Sequence, residues 1–108
     1  PGQGYRQTAQ NQLHYLLGRN ANCLSFVTGF GSMAARHPHH RPSVSVKEAM
    51  PGMLAGGPNS GLQDGLDKER LSALPPARQY IDHWDAYASN EVTIYWNSPL
   101  VYLLAAFQ

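Results

Sequence analysis

Two carboxylates, Asp82 and Glu91, lie in a run crowded with aromatics: Tyr80, Trp84, Tyr87, Tyr95 and Trp96. This pairing suits cleavage of a carbohydrate. A flat ring covers the apolar face of a sugar, while a carboxyl partly shielded from water can keep a proton near neutral pH and pass it to a glycosidic oxygen. On one straight helix, residues nine apart are rotated by about 900°, half a turn net, and would face opposite sides. The chain must therefore break between them. Ser89 and Asn90 are residue types that cap helices, so the sequence predicts a helix starting there with Glu91 in its first turn. The dipole of such a helix favours the ionised carboxylate and opposes a general-acid role unless burial or a neighbouring carboxylate, here Asp82, outweighs it. The competing reading is a pair of ordinary solvated charges at a helix start.

A second polar cluster, Arg36-His37-Pro38-His39-His40-Arg41-Pro42, reads as a loop braced by its prolines. His39 and Arg41 fall on the same side of an extended segment, where they can hold sugar hydroxyls or a carboxylate. A zinc site built from His37, His39 and His40 is disfavoured, because adjacent side chains on such a loop point apart and no Cys or carboxylate lies nearby in sequence. A solvated basic loop is the third reading. Asp64 and Asp67 lack a calcium-loop pattern and are read as turn residues.

Among the elements that must carry these residues, Tyr5, Ala9, Leu13 and Leu16 recur at helical spacing. They predict an amphipathic helix over 5–17, ended by Gly18 with Arg19 beside its last carbonyls. His14 within it reads as a surface or packing residue. Leu24 to Gly31 is a short strand or extended loop whose glycines imply a close backbone approach. Residues 43–74 read as mostly irregular. Pro75-Pro76 introduces a short helical stretch over 77–83. The segment from Glu91 onward reads as helical, with Ser98 as a cap and Pro99 either kinking one helix or separating two. Its final run, Leu100 to Phe107, is apolar on nearly every face and needs burial on nearly every face, more than this chain supplies.

The chain has 108 residues, ten Gly and eight Pro, with 8 basic and 7 acidic residues for a net charge of +1. Without a basic stripe, nucleic acid is excluded as the expected partner, and no apolar run reaches membrane-spanning length. Cys23 is the single cysteine, so no disulfide forms within the chain. An opening at Pro1 and an ending just after an apolar helix predict a processed or trimmed piece of something larger.

With these residues in hand, the chain resembles the C-terminal part of the catalytic domain of glycoside hydrolase family 9, the inverting cellulases. The resemblance is carried by QNQLHYLLGRN, SFVTGFGS, HPHHRPS, PGMLAGGPNSGLQD and YIDHWDAYASNEVTIYWNSPLVYLLAA. One site motif is matched by Ser25, Val27, Thr28, Gly31, Pro38, His39 and Arg41, and a second by Tyr80, Asp82, Tyr87, Glu91 and Asn97. Met33 departs from the Asn, Lys or Arg usual at its position. The resemblance implies an all-α fold in which residues 1–108 form the C-terminal portion of an (α/α)6 barrel with long irregular loops. It implies Glu91 as general acid, with Asp82 and His39 beside the scissile bond and Arg41 in the same subsite. Trp96, where many members have Tyr, and Tyr87 would contact the sugar.

The catalytic base would be an Asp of an N-terminal motif that no segment here matches. Partners are then a β-1,4-glucan and the remaining N-terminal segment of the same domain. No cofactor is expected in this chain, calcium in the rest of the domain is left open, and the protein is expected to be secreted. Endo action is the first expectation. The alternatives are an exo-acting cellobiohydrolase of the same family, or a non-catalytic module binding carbohydrate or metal.

Overall fold

The computed structural model describes residues 3–108; Pro1 and Gly2 lie outside them. Helix α1, Gln3–Leu16, covers nearly the stretch that the apolar spacing predicts. Leu13 is its buried residue and Leu16 packs beside the core, whereas Tyr5, on the same stripe, is exposed. Gly18 at φ +125° turns the chain away, and Arg19 N–H closes the end on the His14 carbonyl at 2.8 Å.

Residues 24–35 form an extended loop, as one of the two readings held. No strand is present among the described residues; isolated bridges join Ser25 to Ala34 and Val27 to Leu54. The close approach implied by the glycines is real. A Cβ on Gly31 (φ +102°) would sit 2.9 Å from Ser25 Cβ, and one on Gly29 (φ +76°) 2.9 Å from Pro51 Cβ.

Two short helices correct the reading of 43–74 as irregular. Helix α2, Arg41–Val46, begins with Pro42 in its first turn, where a missing N–H costs nothing. Pro42 starts a helix here rather than bracing a loop. Helix α3, Gly65–Leu71, is capped by Asp64, whose side chain accepts the Asp67 N–H. Asp67 is consequently a buried helix residue and not the turn residue expected from sequence. The helical stretch expected over 77–83 shrinks to a single 3₁₀ turn, Pro76–Arg78.

The largest correction lies around Glu91. Helix α4, Tyr87–Asn90, ends where a new helix was expected to begin. Glu91 follows in an extended conformation (φ −70°, ψ 146°), and Thr93 caps helix α5, Ile94–Ala105, by accepting the Tyr95 N–H. The β-branched Val92 and Thr93 favour extended backbone over a first turn. Glu91 thus sits ahead of the helix and not in its first turn. Helix α5 runs through Pro99 as one element, so neither a cap at Ser98 nor a separate helix forms.

The core gathers Leu13, Phe26, Val27, Leu54, Ala55, Tyr80 and Leu100, with Leu16, Leu24, Trp96, Leu103 and Phe107 packed against it. Phe26 is its centre; burying such a side chain stabilises by roughly 1.5–3 kcal/mol. Tyr80 packs edge-on to Phe26 at 4.8 Å between ring centres. Only Leu100 of α5 is buried, and Ile94, Tyr95, Val101, Tyr102 and Leu104 are exposed, as the excess of apolar surface predicted. No helix among the described residues is long and apolar enough to cross a membrane.

Candidate active site

Glu91 is held through its main chain. It bridges in parallel to His39, while the next residue, Val92, bridges antiparallel to Ala55. The Glu91 carbonyl accepts Gly56 N–H at 3.0 Å and the Trp96 indole N–H at 3.3 Å. A third strand-like contact comes from one residue back, where the Asn90 carbonyl accepts His39 N–H at 2.9 Å. The Glu91 side chain is left partly shielded and free of backbone duties.

The histidine loop reaches Glu91 because Asp82 fastens it. The Asp82 carboxylate accepts Arg36 N–H at 2.8 Å and His37 N–H at 2.7 Å, and the His37 ring Nδ1 lies 3.3 Å from it. Two backbone donors on one charged acceptor is a strong arrangement. Asn90 Nδ2 also approaches Asp82, at 3.4 Å. Asp82 is therefore a near neighbour of the site that orients its loop.

His39 Nδ1 lies 2.5 Å from the Trp84 carbonyl. A carbonyl only accepts, so Nδ1 carries the proton and Nε2 is the ring atom left to meet a ligand. The Tyr87 ring stands 6.0 Å from the His39 ring, edge to face, and its hydroxyl donates to the Gln63 carbonyl at 3.1 Å. Arg41 is exposed at the start of α2. His39, His40, Arg41, Val44, Ser45, Trp84 and Asp85 wall a groove of about 350 Å³. Trp96 is half-buried against the core, its N–H given to Glu91.

The three histidines face three different partners: His37 meets Asp82, His39 meets the Trp84 carbonyl, and His40 Nδ1 meets Ser43 Oγ at 2.8 Å. Among the described residues no three His, Cys, Asp or Glu side chains gather as metal ligands.

Sequence reasoning treated Asn90 as a helix cap and Asp67 as a turn residue, and neither is. Asn90 is fully buried in the joint between Asp82, the histidine loop and Glu91. Asp67 is fully buried, and neither its oxygens nor the Ser89 hydroxyl has a hydrogen-bond partner. Burial pushes the Asp67 carboxyl above its ordinary range, and the Asp64 charge adds to the rise. An acidic residue three positions after a capping Asp64 was the available signal for α3.

A helical scaffold in which the backbone of a partly buried Glu pairs with a His at a groove walled by His and Arg has the build of the helical glycoside hydrolases. The sequence profile of glycosyl hydrolase family 9 matches residues 1–104, and the chain belongs to that family. It is 47% identical over 104 residues to a cellodextrinase of Butyrivibrio fibrisolvens, covering 94% of this chain and 19% of that protein. It is 45% identical to a xyloglucan-specific endo-β-1,4-glucanase of Bacteroides ovatus, covering 94% and 17%. Among solved structures, it is similar to AaCel9A in complex with a cellobiose-like isofagomine, with a TM-score of 0.93, 46% identity and coverage of 98% of this chain and 20% of that one. The family 9 endoglucanase J30 gives a TM-score of 0.94 at 39% identity, covering 99% and 20%. These structures are (α/α)6 barrels, and the helices described above form a portion of that fold. The chain spans about a fifth of the length of the relatives it matches.

Proposed function

We propose that this chain supplies the proton-donating side of an inverting hydrolase acting on β-1,4-glucan. Glu91 protonates the leaving glycosidic oxygen, while an Asp from another part of the domain directs water to the opposite face of the anomeric carbon. Inversion requires the two carboxyls to stand roughly 6.5–9.5 Å apart, with that water between them. His39 Nε2 and the Arg41 guanidinium hold the glucosyl unit beside the scissile bond, and Asp82 keeps their loop in place. Tyr87 offers its exposed ring to the sugar, and Trp96 the part of its ring that the core leaves uncovered.

The observation that carries this reading is the main-chain pairing of Glu91 with His39, one of the residues that line the His39–Arg41 groove. Endo action is the reading adopted, in keeping with the names of the Bacteroides ovatus relative and of J30. An exo mode, suggested by a relative named cellulose 1,4-β-cellobiosidase from Acetivibrio thermocellus, would release cellobiose without a fast fall in the viscosity of soluble cellulose. A polymer of this size is attacked where it lies, so the protein acts outside the cell.

The test is Glu91→Gln in the complete protein. Hydrolysis of cellulose is expected to fall by about 10²–10⁴-fold, with binding of a short cello-oligosaccharide nearly unchanged. Turnover near that of the parent protein removes Glu91 from the role.

A further inference from the structure

Asn90 precedes the proposed acid and is among the most enclosed side chains of the protein. Its amide is fully used. Oδ1 accepts the Tyr80 hydroxyl at 2.5 Å, and Nδ2 donates to the His37 carbonyl at 2.7 Å, with the His83 carbonyl at 3.3 Å and Asp82 Oδ1 at 3.4 Å. Its main chain is used as well: N–H donates to the Ala86 carbonyl at 2.8 Å, and the carbonyl accepts His39 N–H. One residue thus ties together the end of α4, the loop carrying His39, the Asp82 carboxylate and the first extended residue of the acid segment.

We propose that Asn90, with Tyr80 behind it, is a positioning residue that sets the register between His39 and Glu91. This inference rests on the reading of Glu91 as the general acid.

The chemistry favours an amide at this place. The His37 carbonyl and the Tyr80 hydroxyl need, respectively, a donor and an acceptor within one side chain's reach, and a carboxamide carries both side by side on one planar group. A carboxylate would lose the donor and face Asp82. Tyr80 reinforces the arrangement because burial, and then the charges of Asp82 and Asp67, hold its phenol far above its ordinary value of 10, so it remains a donor. Removing either group leaves a buried partner unpaired in a joint that has little water to replace it. The backbone of residues 90–91 can then shift, and a displacement near 1 Å at a proton donor costs catalysis steeply.

The test compares two substrates in the complete protein. Cellotetraose needs a proton on its leaving oxygen, whereas 2,4-dinitrophenyl β-cellobioside has a leaving group that departs without one. Tyr80→Phe is expected to lower kcat on cellotetraose about tenfold, and Asn90→Ala about 100-fold, with KM little changed. On the dinitrophenyl substrate both variants should stay within about threefold of the parent protein, since the donor is bypassed there. Equal losses on the two substrates, as general loosening would give, overturn the proposal, and so does unchanged kcat on cellotetraose. Glu91→Gln measured alongside separates the two claims. If it shows the leaving-group dependence and the Asn90 and Tyr80 variants do not, the inference alone fails. If Glu91→Gln loses both activities equally, the acid assignment fails and takes the inference with it.

Discussion

Asp82 and His37 meet twice: the His37 N–H donates to one carboxylate oxygen at 2.7 Å, and the ring Nδ1 lies 3.3 Å from the other. The pair closes a gap of 45 residues and lies between the aromatic run and the histidine loop. The Trp84 ring stands edge-on to the His37 ring at 5.1 Å.

Asp82→Ala should therefore release the histidine loop. Two backbone donors, of Arg36 and His37, lose their acceptor, and about 1–3 kcal/mol of stability should go with them. Asp82→Asn retains an acceptor for one N–H and should lose less. Urea unfolding of the complete protein checks the order, and equal stability of all three proteins would show that the loop is held by something else.

Asp67 leads to a pH-dependent prediction. Its carboxyl is raised by burial, so the folded chain takes up its proton more readily than the unfolded chain does. The stabilising contribution of the protonated form is complete below the ordinary value of 3.8 and is lost as pH rises through the higher folded value. Asp67→Asn cannot ionise. It should be more stable than the parent at pH 7, with the gap narrowing toward pH 4. A difference that stays constant with pH contradicts the assignment.

Gly31→Ala adds a methyl 2.9 Å from Ser25 Cβ at a backbone angle that suits glycine. Loss of more than about 1 kcal/mol is expected. The melting temperature should fall, while kcat per folded molecule stays near that of the parent. An unchanged melting temperature would mean that the loop moves aside without cost.

Much of this arrangement was legible from residue order. The spacing of Leu13 and Leu16 marked α1, the all-round apolar run marked α5 as needing more cover than the chain has, and the type and spacing of His39, Arg41, Asp82 and Glu91 suggested the candidate site proposed above. The misses have a common physical cause. Helices α2 and α3 are short and owe their existence to caps and packing, so they leave little periodicity to detect. Ser89 and Asn90 have the local chemistry of caps, but tertiary hydrogen bonds to Tyr80 and His37 decide the role of Asn90. Asp67 looked like a turn residue because nothing in its immediate neighbourhood signals that Ser89, 22 residues on, will lie against it.

Because the carbonyl of Glu91 is pinned by Gly56 and Trp96, the scaffold at this position does not depend on the carboxyl itself. Position 91 is accordingly a mounting point. A thiol or an azide-bearing residue installed there would be delivered to the same place, turning the segment into an anchor for labelled or cross-linking sugars.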